Sequence, residues 1–465
     1  MRTPARPRTP CVWPLIIALF YAYSCRCPNL PVSSLKEWGL PLDLAEKQEQ
    51  LTEITLPASV NRLDWLSTRI IKVNAENTQI ETLTGLPPSV RELDIRGAIK
   101  LRDLNGLPSS LKVLKISGEN LEKLDFLPTS LTELHLQDAT LRDLTGLPAG
   151  LKTVVLSGPG IHDLNGLPEG LQALTLHGTH VKTLKGLPDS LQRLVLVANL
   201  DLEIKTEDFP PRLTYLVVDD ELVSKECEWR RLRYLCCLSD RSEYPRQAWP
   251  EFLSALILRA TNLTEAPKIP ETIRNLGLIH YGISDSVHFP AGLESLDLTD
   301  CRCPEVAGLP EGLKSLKLND SSIRSLPRLP LTLEALDISN TEVTDLAGLP
   351  RGLKSLVFRG ATRRRLEEVE KLPNLERLDI AWSSVEDLGK LPPRLRYLNV
   401  RGTKIKKITA NEAVDLKELD ISSTQLDWKF ISQLPKNLEV LTLSQKQIDR
   451  LTDLPTSVRA LHFVY

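Results

Sequence analysis

Apolar residues recur on a twenty-residue beat, and the unit GLPEGLQALTLHGTHVKTLK at 166–185 shows its form. Counted from Pro168, Leu171, Leu174, Leu176, Val181 and Leu184 hold the third, sixth, eighth, thirteenth and sixteenth places. GLPSSLKVLKISGENLEKLD and RLPLTLEALDISNTEVTDLA repeat the pattern elsewhere. The segment LxxLxL alternates with period two around its second and third leucines, which predicts a short strand with one buried face. Proline lacks a backbone donor and fixes its φ, so it stands outside the strand and punctuates the extended segment before it. Little room remains in twenty residues for a helix on the back. One unit cannot bury its leucines alone, whereas a stack of units can, so the pattern predicts a solenoid.

The fold class expected is a leucine-rich repeat solenoid: a curved parallel β-sheet on the concave face, extended or irregular convex segments and little helix. Pro108, Pro128, Pro148, Pro168 and Pro188 keep the beat, and Pro250 to Pro350 resume it. From Pro87 to Pro455 about nineteen strands fall in phase, a stack on the order of 90 Å before curvature. The interval between Pro210 and Pro250 is two periods, and within it Trp229 takes the place of Pro while Leu232, Leu235 and Cys237 keep the apolar places. The repeat therefore runs through 220–249 as a degenerate unit. Residues 57–465 form the expected solenoid, and 28–56, polar and without repeat, form an N-terminal cap that is partly helical. After Leu461, His462 and Phe463 no C-terminal cap is visible, so the end either pairs with something, which makes it a candidate surface for oligomerisation, or marks a truncated chain.

Residues 1–27 stand apart. Arg2, Arg6 and Arg8 precede an apolar run, Cys11 to Ser24, shorter than the roughly 20 residues a bilayer span needs. Ala22-Tyr23-Ser24 sets small residues at the minus-three and minus-one positions of a cut before Cys25, the layout of a secretory signal peptide. The expectation is an exported protein of the cell envelope or the medium, with Cys25 as a candidate lipidation site and a short uncleaved anchor or a misassigned start as the alternatives. Over the whole sequence the 58 basic and 60 acidic residues balance to a net charge of -2, which offers no global field for nucleic acid or acidic membranes. Any membrane contact is expected through the N-terminal segment alone.

Eight cysteines in an exported chain raise the question of disulfides. Register places Cys237 and Cys303 in core positions and Cys301 at the eleventh place, where Thr179, Thr261, Thr341 and Thr403 stand in other units. Small side chains there suit a hydrogen bond to the backbone at the strand's end. Cys227 with Cys236 is the one candidate disulfide. The seven histidines are scattered over separate repeats, so no catalytic residue, metal site or cofactor is expected, and the chain is read as a non-enzyme. Arg363, Arg364 and Arg365 form a charge cluster read as a solvated face.

The fifth, seventh and ninth places after each Pro point away from the core and line the concave face. Val155, Val195, Val197, Tyr215, Val217, Tyr234, Leu238, Ile257 and Ile279 gather there as an apolar zone in the middle of the stack. Contiguous apolar surface marks interaction sites and Tyr is a favoured anchor, so these are the candidate contacts for a protein partner, centred on Tyr215, Val217 and Tyr234. A preference of parallel sheets for β-branched residues is the alternative reading. Towards the C-terminus Asp297, Asp337, Asp379 and Asp420 make a second, acidic face.

The unit LPxxLxxLxLxxTxIxxLxG resembles the LPX class of leucine-rich repeats found in bacterial type III effectors, over roughly residues 57–465. That resemblance implies a scaffold that binds host proteins after translocation into a host cell. It also implies a role in virulence or, as the alternative, the substrate-recruiting module of an effector-type ubiquitin ligase whose catalytic domain is not in this sequence. Cys237-Leu238-Ser239-Asp240 spaces Cys and Asp one residue further apart than the ligases do, and its Cys falls in the core, so no catalytic residue is carried over. The hydrophobic run Cys11 to Ser24 departs from effectors of this class, which use no such signal, and favours an envelope-bound or secreted binding protein.

Overall fold

A computed structural model describes residues 52–464 except 118–123, 125, 139–140, 142–143, 204, 220–230, 239–248, 260–267, 281–286, 303–305, 409–414, 427–434, 445–446 and 448–456. Over the described residues the chain builds one sheet of 21 strands in sequence order, every pairing parallel. They are β1 (Glu53–Thr55), β2 (Lys72–Asn74), β3 (Glu92–Ile95), β4 (Val113–Ser117), β5 (Glu133–Gln137), β6 (Thr153–Ser157) and β7 (Ala173–His177). The middle holds β8 (Arg193–Val197), β9 (Tyr215–Val218), β10 (Tyr234–Cys237), β11 (Ala255–Arg259), β12 (Asn275–Ile279), β13 (Ser295–Asp297) and β14 (Ser315–Lys317). Then follow β15 (Ala335–Asp337), β16 (Ser355–Val357), β17 (Arg377–Asp379), β18 (Tyr397–Asn399), β19 (Glu418–Asp420), β20 (Val440–Ser444) and β21 (Ala460–Val464).

The nineteen expected strands are β3 to β21. The degenerate unit keeps step, since Leu235 and Cys237 of β10 pair with Leu216 and Val218 on one side and with Leu256 and Leu258 on the other. Two strands precede the first in-phase proline pair, and β1 lies inside the stretch expected to form the cap. Residues 1–51, with the leader and most of that cap, lie outside the described residues.

Why the proline recurs is visible in the backbone. The residue three places on donates its N–H to the proline carbonyl, as from Leu171 to Pro168 at 3.0 Å, and the same turn appears at Leu111, Leu191, Leu313 and Leu395. Where a Ser or Thr stands two places after Pro, it ties its turn to the one before, as in Ser130 to Leu111 O at 2.6 Å and Thr272 to Leu253 O at 2.7 Å. The core is a set of stacked columns: Leu171, Leu174, Leu176, Val181 and Leu184 are all buried, with equivalents in the other turns. Return segments are extended, and the turns from β8 to β9 and from β16 to β17, each 22 residues long, contain a 3-10 turn, at Thr206–Asp208 and Glu367–Lys371.

At the strand exit the tenth place is left-handed in turn after turn, at Asn77, Gly97, Asp138, Gly178, Asn340, Trp382 and Gly402 among others. The eleventh-place hydroxyl can then bond the carbonyl just past the end of its own strand, as in Thr78 to Ala75 O at 2.7 Å and Thr403 to Val400 O at 2.6 Å. Cys301, in the same column, gives its thiol to Leu278 O at 3.0 Å.

An acceptor at the seventh place shortens its strand. Where it is Asp or Asn, its carboxylate or amide oxygen accepts the N–H two residues on, turning that group out of the ladder. Glu76, Arg96, Thr299, Ser339, Ala381, Arg401 and Ser422 all donate in this way, at 2.9–3.3 Å. Those strands hold three or four residues, whereas β4 to β8, with no such acceptor, hold five. β14 and β16 carry Lys317 and Val357 there and are still short, because the strands on both sides of them stop early.

At the far end β21 comes to within 8 Å of β1, Cα to Cα.

Candidate functional site

The parallel register lays the outward side chains in rows. In the seventh-place row Val195 pairs with Val217, Val217 with Cys236, Cys236 with Ile257 and Ile257 with Gly277. In the fifth-place row Arg193 pairs with Tyr215 and Tyr215 with Tyr234. Val155 joins the seventh-place row one strand removed, since Thr175 stands between it and Val195.

The fifth-place row is a stack. The Tyr215 and Tyr234 rings lie 4.0 Å apart and 10° from parallel, and the Arg193 guanidinium sits 4.3 Å from the Tyr215 centroid. Adjacent strands are about 4.8 Å apart, so rings at one height in neighbouring strands are brought to stacking distance by the backbone itself. Burial raises the Tyr234 hydroxyl pKa, with Cys236 and Tyr215 adding to the effect. It stays a neutral donor.

Not every candidate is equally available. Tyr215, Tyr234, Val155, Val195, Leu238 and Ile257 are half-buried, while Val197, Val217 and Ile279 are buried by their neighbours in the sheet. Cys236 carries a free thiol, 5% exposed, whose pKa burial pushes up to about 12. Its candidate disulfide partner Cys227 lies outside the described residues, as do Cys25 and Cys303. Cys237 and Cys301 are buried free thiols.

The acidic column is occupied from within. Asp379 is 0% exposed and receives Arg359 at 2.5 Å, the Ala381 N–H at 3.2 Å and Asn399 at 3.3 Å. Asp297 takes Lys317 at 3.0 Å together with the Thr299 N–H and hydroxyl. Asp337 and Asp420 bind the Ser339 and Ser422 N–H groups, and burial still pushes both carboxyls above their ordinary range. These four carboxylates therefore cap strands and answer basic neighbours. Their roles can be read in hindsight from Asp recurring at the seventh place, two residues ahead of the strand exit.

One feature of the surface went unsignalled by periodicity. Trp382 holds a left-handed tenth place given in most other turns to Gly, Asp or Asn, is 60% exposed, and lies against Gly402 with the Arg401 guanidinium 5.3 Å from its ring. Its Trp-Gly alternation across successive turns is the only trace in the sequence.

Among the described residues no group of three His, Cys, Asp or Glu is placed to hold a metal ion, and no helix is long and apolar enough to cross a membrane. The repeat columns, the single parallel sheet and the strand-exit turn define a leucine-rich repeat solenoid. No family model matches the chain, and no curated protein does. Among solved structures it is similar to YopM from Yersinia enterocolitica WA-314, at 22% identity and a TM-score of 0.39 over 90% of this chain and 93% of that one. It is also similar to CroV588, described as a circular leucine-rich repeat protein, at 19% identity and 0.42 over 89% of this chain and 66% of that one. A third likeness is to the mouse RP105/MD-1 complex, at 16% identity and 0.47 over 86% and 91%. These likenesses are distant, and the fold class rests on the chain's own register.

Proposed function

We propose that the chain is a non-enzymatic scaffold that captures a protein partner on the concave face of its middle turns. The observation that carries this reading is the Arg193–Tyr215–Tyr234 stack, 4.3 and 4.0 Å from member to member, raised beside the row Val195, Val217, Cys236 and Ile257. Stacked tyrosines with an arginine at one end are rigid, amphipathic and already desolvated on one side, which is the composition of an interface hot spot. They lose little conformational freedom on binding, so their contact area converts well to affinity. Export through the leader at 1–27 belongs to the same reading, as does lipidation of Cys25.

The test is a double substitution, Tyr215→Ser with Tyr234→Ser, against a convex-face control, Arg324→Ser. A partner crosslinked to the parent chain on its native cell surface is expected to be lost with the double variant and kept with the control, the circular dichroism of all three being alike. Equal capture by the double variant would sink the proposal.

A further inference from the structure

The two ends of a repeat array ordinarily expose their columns, yet here they do not. Among the described residues His462 lies on the last strand, with β20 beside it through Thr442, and it is only 7% exposed. The equivalent Thr442, flanked on both sides, is half-buried and thus more open than the terminal residue. At the other end Ile54 of β1 is fully buried, and Val458, which leads into β21, is 1% exposed. What stands on the missing side of β21 is β1, within 8 Å.

We propose that the solenoid closes on itself as a ring, with β21 seated beside β1, and that its concave face lines a bore that admits a protein segment one helix wide and excludes folded domains. The second half rests on the concave-face reading above. Continuing the register of the pairs Leu441 with Leu461 and Ile54 with Val73 across the seam sets Ala460 beside Glu53 and His462 beside Thr55. Twenty-one strands spaced about 4.8 Å apart give a perimeter of about 100 Å and a backbone diameter of about 32 Å. Facing sheets stand about 10 Å apart, so the two side-chain layers take about 10 Å and leave a bore of about 20 Å. An α-helix with its side chains is about 10–12 Å across and passes. A domain of 100 residues, with a radius of gyration of about 13 Å, does not.

The lining is two-faced. The apolar rows of β8 to β11 occupy one arc, and the network of basic side chains that answer the acidic column, Lys317, Arg359 and Arg401, occupies another. An amphipathic helix can meet both at once, its apolar stripe on the tyrosine stack and its charged side on the network.

Closure is tested with the pair Glu53→Cys and Ala460→Cys, oxidised with copper–phenanthroline, and with a second pair, Thr55→Cys and His462→Cys, in case the first disturbs folding. A disulfide joining the two positions within one chain, shown by peptide mapping and absent in the single variants, is the expected result. Disulfide-linked dimers, or no disulfide from either pair in chains with the parent's circular dichroism, overturn the ring. The bore is tested by placing biotin on a short arm at Thr175→Cys, with Arg324→Cys on the convex side as control. Streptavidin is expected to capture the control and to lose the bore-labelled chain, and equal capture of both overturns the narrow bore. Crosslinking is blind to the tyrosines, so loss of the ring and loss of the concave-face site are told apart.

Discussion

Asp379→Ala separates a structural carboxylate from a docking one. The substitution strips a fully buried acceptor of three donors: the Ala381 N–H, the Asn399 amide and the Arg359 guanidinium. The buried N–H and amide left without partners cost about 1–3 kcal/mol together. The Arg359 side chain is half in water, so its lost ion pair adds only about 1 kcal/mol. A total of about 2–4 kcal/mol is therefore expected locally. Asp379→Asn keeps an acceptor for the Ala381 N–H and loses only the charge, so it should cost about 1 kcal/mol. Long repeat arrays do not unfold in one step, and a single melting temperature would blur the effect. The assay is native-state hydrogen exchange read at Ala381, Arg359 and Arg401, where the Ala variant should open more readily than the Asn variant and both more than the parent. Unchanged protection in Asp379→Ala, together with lost partner capture, would refute the capping role and return the acidic column to the binding surface.

Two further predictions address the seam and the exposed tryptophan. Burial lowers the His462 pKa from 6.5 to about 4, so its stabilising contribution is complete above pH 6.5, falls as the pH drops through that window, and amounts to about 3 kcal/mol at most. Burial raises the Glu53 carboxyl on β1, and its protonation in acid partly offsets the loss. Hydrogen exchange at β21 should therefore quicken between pH 7 and pH 5, more so in Glu53→Gln, and a pH-independent profile after correction for intrinsic rates would exclude the effect. Gly402→Ala puts a Cβ into the Trp382 ring at a left-handed φ of 67°, a backbone cost of about 1–2 kcal/mol, and should shift tryptophan emission by displacing the ring. Unaltered emission and stability would count against that contact.

Phase carried almost all of the fold. The places of Leu171, Leu174, Leu176, Val181 and Leu184 locate the strand, the core columns and the outward rows, and they do so even where Trp229 replaces the proline. β1 escaped because Ile54 has no proline pair ahead of it to set the count. The adjacency of Tyr215 and Tyr234 was legible, since register alone puts them side by side. Their stacking with Arg193 depends on rotamers, which periodicity does not encode. The bonding of the acidic column was illegible for a related reason: an outward place says where a carboxylate starts, while Asp379 bends back to its own backbone. The nearness of β21 to β1 is a property of accumulated curvature, to which each repeat contributes too little to be read singly.

The seventh-place acceptors also act as a ruler for the floor of the concave face. From β4 to β12 the strands are four or five residues long and offer a broad floor, whereas from β13 to β19 each is three long. On the narrow stretch the ninth residues, Arg359, Ala381 and Arg401, fall beyond the end of the strand. The width of the floor is thus set largely by a column of side-chain choices acting on backbone N–H groups, and exchanging those aspartates for valines across neighbouring turns would widen it without touching one core residue.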